Sequence, residues 1–184
     1  METNLCVAGF GGQGVMTMGK FLAQATCDST DKNVTFFPSY GAEQRGGTAN
    51  CFVVISDEFI GAPLVDTMDD LIVMNEPSLD KFINRLKSGG RLFINSSIVR
   101  EDVERDDVTL IKVPATEMAL EMGNAKVLNI IMLGVYIGYT DVVTPEIVWD
   151  TIEKKLASKA ALLPLNKAAF EKGLSIGQSQ KQQS

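Results

Sequence analysis

Two glycine-rich stretches hold the residue types from which a binding site could be built. The first is "GFGGQGV", residues 9–15, where Gly9, Gly11 and Gly14 form a G-x-G-x-x-G with Gly12 and Gln13 inside it. Such a turn lets backbone N–H groups and a helix N-terminus approach an anion with no β-carbon in the way. The second is "PSYGAEQRGGTANC", residues 38–51, which gathers Ser39, Tyr40, Glu43, Arg45, Gly46, Gly47 and Thr48. Arg45 has the planar fork that grips a phosphate or carboxylate, and the two glycines after it let the chain come close. Bland uses of the same residues stay open: glycines for strand–helix packing, a Glu43–Arg45 pair that only orders the loop, and Tyr40 as a half-buried packing ring.

The rest of the composition narrows the chemistry. The chain has no histidine, which removes the commonest general base, the commonest metal ligand and any Ser-His or Cys-His nucleophile pair. Cys6, Cys27 and Cys51 are odd in number, widely spaced and set in apolar surroundings. They are expected to be buried, inert thiols, with no disulfide framework and no metal site. The net charge is −6, with no basic run interleaved with aromatics, so nucleic acid is not an expected partner. The longest apolar run, "LNIIMLGVYIGY" at 128–139, falls short of the ~20 residues of a membrane span. No basic leader precedes the first apolar run, so no membrane contact and a cytoplasmic chain are expected.

A nicotinamide site needs an acidic side chain about 20 residues beyond the glycine turn, at the end of the second strand. Here that strand ends in Phe37-Pro38, Asp31 lies before it, and Glu43 falls in the following loop. A free-standing nicotinamide or flavin oxidoreductase therefore loses its main support.

The elements that must position these residues follow from periodicity. "NLCVAGF" reads as a strand running into the glycine turn, "VMTMGKFLAQATC" as a mostly apolar helix, and "NVTFFP" and "CFVVIS" as strands flanking the loop. "DDLIVMNEP" is a further strand. "SLDKFINRLKSGG" reads as a helix capped by Ser78 and stopped by glycine, although Asn75 is also placed to cap it. "RLFINSS" and "VTLIKVP" complete the strands. Runs that are apolar on both faces and alternate with helices predict an α/β fold: a mostly parallel, Rossmann-like sheet covered by helices on both faces. Beyond Pro114 the pattern is helical only. It includes a core-facing stripe of Leu128, Ile131, Met132, Val135 and Tyr139, a helix opened by Thr144-Pro145, and a last helix over about 160–172. One domain over residues 1–174 is expected, with 175–184 a disordered tail.

Taken together, "GFGGQGV", "SYGAEQRGGTANC", "VVISDEFIGAPLVD", "LIVMNEPSLDKF" and "GGRLFINSS" resemble the gamma subunit of the 2-oxoacid:ferredoxin oxidoreductases. "GNAKVLNIIMLG" fits that family's second half more loosely. The loop wording is most similar to members acting on 2-oxoglutarate or branched-chain 2-oxoacids, with Ala42 and Gln44 departing from the proline and methionine often found there.

The resemblance implies a subunit, inactive alone, of an enzyme that converts a 2-oxoacid and coenzyme A to acyl-CoA and carbon dioxide with ferredoxin reduction. It further implies thiamine diphosphate on alpha and beta partner subunits and iron–sulfur clusters on a delta, ferredoxin-like chain. Coenzyme A would be engaged in part here, through Gly9, Gly11, Gly12, Gln13, Gly14, Ser39, Tyr40, Glu43, Arg45, Gly46, Gly47 and Thr48. A purely structural docking subunit is the alternative. Apolar surface left bare on an isolated subunit is compatible with a homodimer.

Overall fold

The computed structural model describes residues 1–39, 48–62, 66–100 and 102–183. Strand β1 (Glu2–Phe10) leads through the glycine turn into helix α1 (Val15–Ser29), then β2 (Asn33–Ser39) and β3 (Thr48–Ser56). Next come β4 (Met68–Val73), the short helix α2 (Glu76–Phe82), β5 (Leu86–Asn95) and β6 (Thr109–Val113). Helices α3 (Ala115–Glu121), α4 (Leu128–Thr140), α5 (Pro145–Leu156) and α6 (Leu163–Gln183) complete the chain.

The six strands form one sheet in the order β2-β3-β1-β4-β5-β6. The β1–β4, β4–β5 and β5–β6 pairs are parallel; β3 runs antiparallel to both β1 and β2. The α/β, mostly parallel architecture is as the sequence predicts, with β3 inserted between β1 and the strand that follows α1.

The two faces are covered unequally. On one, α1 and α3 to α6 bury Val7, Ile72, Phe93 and Ile111 beneath Met18, Leu22, Ile131, Val135 and Phe170. On the other, α2 supplies Leu79 and Phe82 over Cys6, Leu71, Leu92 and Ile94. Helix α4 is so deeply set that Leu128 through Tyr139 are all buried, the expected stripe among them.

Four local expectations are corrected. The helix expected from Ser78 to the glycines is cut to α2, followed by a 3-10 turn at Ile83–Arg85, and the residues from Leu86 enter β5. Gly90 sits tight against the neighbouring strand, where a β-carbon would stand 2.9 Å from the Asp69 carbonyl on β4. The cap is Asn75, whose Oδ1 accepts from the Ser78 N–H at 3.0 Å, rather than Ser78.

The tail expected to be disordered is helical to Gln183. Four glycines account for it: α4 and α6 touch backbone to backbone, so that a β-carbon on Gly173 would lie 2.1 Å from the Ile131 carbonyl and one on Gly177 2.2 Å from that of Val135. Gly134 and Gly138 meet α6 in the same way.

The thiols also divide: Cys6 and Cys51 are buried as expected, whereas Cys27 is exposed. No helix among the described residues is long and apolar enough to cross a membrane.

Candidate functional site

The end of β1 fixes the site. Gly12 and Gly14 take the left-handed backbone, at φ 93° and 78°, which glycine adopts without the strain a β-carbon brings. Gly14 is the N-cap of α1 and offers no side chain to its first turn, which carries no acidic residue either. A 15-residue helix thus points uncapped N–H groups, and the positive end of its dipole, out of the turn. They open into a groove of about 400 Å³ lined by Phe10, Gly11, Gly12, Met16, Thr17 and Ala49.

The other members of the turn do different work. Gly9 is a packing glycine: a β-carbon there would stand 2.7 Å from both Met74 Cβ and Gln13 Oε1. The Gln13 side chain is held by the protein itself, since its Oε1 accepts from the Phe10 N–H at 2.6 Å and its Nε2 donates to the Met74 carbonyl at 3.2 Å. It ties the ends of β1 and β4 together and thereby sets the turn.

That tie sits where an α/β sheet changes sides. α1 leaves β1 toward one face and α2 leaves the neighbouring β4 toward the other, so the crevice between them is the topological switch point at which such sheets place ligands.

The second glycine-rich stretch meets the first at this edge. Phe10 pairs with Thr48 and Ser39 pairs with Asn50, so both anchors of the loop stand beside the glycine turn. Tyr40, Glu43, Arg45, Gly46 and Gly47 lie outside the described residues.

A further recess, about 270 Å³, shares Thr17 with the groove and is lined by Phe21, Lys126, Asn129, Ile130 and Asn166. Asn129 is nearly buried, and its Nδ2 donates to the Gly14 carbonyl at 3.4 Å. It also explains why position 14 is glycine, because a β-carbon there would meet the Asn129 side chain at 2.5 Å. Apolar periodicity around residue 129 hid it; the signal was a lone asparagine inside "LNIIMLG".

The remaining polar chemistry of the described residues is structural. Asp70, buried on β4, receives Arg91 at 2.5 and 2.7 Å and the Tyr136 hydroxyl at 2.8 Å. Burial lifts the Asp70 carboxyl above its ordinary range, and the guanidinium and phenol pull against that lift. Cys51 donates to the Val15 carbonyl at 3.6 Å, and burial pushes its thiol up to about 12. Among the described residues no group of three or more His, Cys, Asp or Glu side chains could hold a metal ion.

The family model for the pyruvate ferredoxin/flavodoxin oxidoreductases matches residues 4–176. The chain belongs to this family. It is 40% identical over 174 residues to the ketoisovalerate oxidoreductase subunit VorA of Methanothermobacter marburgensis, covering 94% of this chain. It spans only 36% of that relative's length. The gamma subunit of a keto/oxoacid ferredoxin oxidoreductase from Geobacter sulfurreducens superposes with a TM-score of 0.85 at 26% identity, covering 97% of this chain and 98% of that one. A 2-oxoglutarate:ferredoxin oxidoreductase from Magnetococcus marinus, solved with 2-oxoglutarate, coenzyme A and succinyl-CoA bound, matches at a TM-score of 0.89 and 25% identity. There the match covers 97% of this chain and 31% of the other. The same domain therefore occurs both as a separate chain and as part of a longer one.

Proposed function

We propose that this chain is the gamma subunit of a 2-oxoacid:ferredoxin oxidoreductase, with 2-oxoglutarate as the first substrate to test, and that its glycine-rich edge engages coenzyme A. The complex takes a 2-oxoacid and coenzyme A to acyl-CoA and carbon dioxide, passing two electrons to ferredoxin. Thiamine diphosphate, on the alpha and beta partners, supplies the carbanion chemistry. The clusters are assigned to a delta, ferredoxin-like partner, a reading supported by the thiols of this chain: Cys6 and Cys51 are buried in opposite core layers and cannot join Cys27 in the four-thiolate set a cluster needs.

The observation that carries this reading is the convergence, at one sheet edge, of an uncapped α1 N-terminus, two left-handed glycines and both anchors of the Arg45 loop. The chemistry of that edge suits a pyrophosphate: backbone N–H donors and a helix dipole, with Lys126 at the rim of the adjoining recess. This chain binds and orients; Gln13 and Asn129 hold the turn in shape.

Arg45→Ala tests it in the assembled enzyme. The apparent KM for coenzyme A is expected to rise about tenfold or more, as for loss of a charge-assisted hydrogen bond, with the thiamine-dependent decarboxylation step still measurable. An unchanged KM overturns coenzyme A engagement. If the loop instead only docks against a partner, the same substitution lowers recovery of the complex and leaves KM unaltered.

A further inference from the structure

One edge of the sheet is open. Among the described residues β2 is paired on its β3 side only. Its sequence, NVTFFPS, carries no charged residue. The opposite edge strand, β6, carries Lys112, whose carbonyl is reached by Gln180 of α6. Soluble proteins ordinarily guard an edge with charge, and β2 has only Pro38 for that purpose. Along the α1 side of the strand, half-buried Val34 and Phe36 floor a groove of about 300 Å³, and Phe37 on the other side is 39% exposed.

The helix above this groove shows what fits it. Lys20, Gln24 and Asp28 stand one turn apart along its rim, with Gln24 Nε2 donating to Asp28 Oδ2 at 3.0 Å. Neither Lys20 nor Asp28 has an ion-pair partner among the described residues. Opposite charges at equal distances from Gln24 make the stripe its own complement under a two-fold axis through that residue. β2 points the same way as β1, because both oppose β3, and the crossover helix α1 runs back against them. A two-fold that sets β2 antiparallel to its copy therefore also sets α1 antiparallel to its copy, with Lys20 of each facing Asp28 of the other.

We propose that a second copy of this chain docks along this edge, β2 to β2 and α1 to α1, joining two six-stranded sheets into one. Val34 and Phe36 of both copies then close into a shared apolar strip between the two helices.

Sedimentation of the full chain over a concentration series tests the arrangement. A reversible dimer is expected. Lys20→Glu and Asp28→Lys, each of which turns two attractive contacts into repulsive ones, should each raise the dissociation constant about tenfold or more. The double variant, which restores both pairs with reversed sign, should return to within about threefold of the parent. Both positions are on the exposed side of α1, and circular dichroism verifies that each variant is folded. A chain that stays monomeric throughout, as it would if this edge were kept for a different subunit, overturns the proposal. So does a dimer that ignores the single changes, or one that the double change fails to rescue.

Discussion

At the scale of single residues, burial decides which groups are available for chemistry. Cys6 and Cys51 are buried and their thiols are pushed up by that burial, Cys51 to about 12, while Cys27 faces solvent. A thiol reagent at pH 8 should therefore titrate one cysteine per native chain and all three in denaturant; three reacting natively would contradict the packing. The Asp70 site is the more demanding case. Asp70→Ala strands the Arg91 guanidinium and the Tyr136 hydroxyl, and a loss of roughly 3–5 kcal/mol is expected for such a broken buried pair. Tyr136→Phe removes one hydrogen bond to a carboxylate and should cost only about 1.5–3 kcal/mol, so urea titration of the two variants should rank them in that order. The missing histidines are legible in the composition, whereas the Asp70 network is not, because Arg91 and Tyr136 lie far from Asp70 in sequence.

At the scale of elements, the glycine turn was legible because its requirements are local: a strand, positive-φ glycines and a helix start. The division of labour within it was not. Gly9 is held by Met74 and Gly14 by Asn129, contacts made across long stretches of chain, and Gln13 bonds to the strand ends instead of facing the groove. The α4–α6 pair escaped the sequence reading for a related reason. Its C-terminal half is polar on average, and what holds it is the absence of side chains at Gly173 and Gly177, which no hydrophobic pattern records. Gly173→Ala should force the two backbones apart and cost about 1–3 kcal/mol or more, whereas Gly61→Ala, in open space, should leave the melting temperature unchanged. Equal effects at the two positions would contradict the close approach.

At the scale of the molecule, fold class came through because alternating strands and helices constrain topology strongly. The antiparallel insertion of β3 did not, since adjacent strands joined by a loop satisfy the same hydrophobic pattern either way. That insertion puts Thr48, the first described residue after the loop, beside the glycine turn through the Phe10–Thr48 pairing. The helices of the larger layer share one core with the sheet, so damage at the C-terminus should spread. A chain ending at Leu174 loses the Gly177 contact and the cover over the end of α4, and it is expected to melt at a lower temperature in one transition. A separate early transition of the last helix, with the rest of the protein unaffected, would show α6 to be peripheral.

The backbone contact between α4 and α6 also bears on how the protein is made. Synthesis delivers α4, a helix buried from end to end, before the residues that cover it. Until α6 emerges from the ribosome, α4 can pack on the sheet, but Gly134 and Gly138 lack the backbone they finally touch. Domains generally fold as units, so this face of α4 stays uncovered until α6 has been made. Helix α6, made after α4, is thus the segment that closes this side of the core.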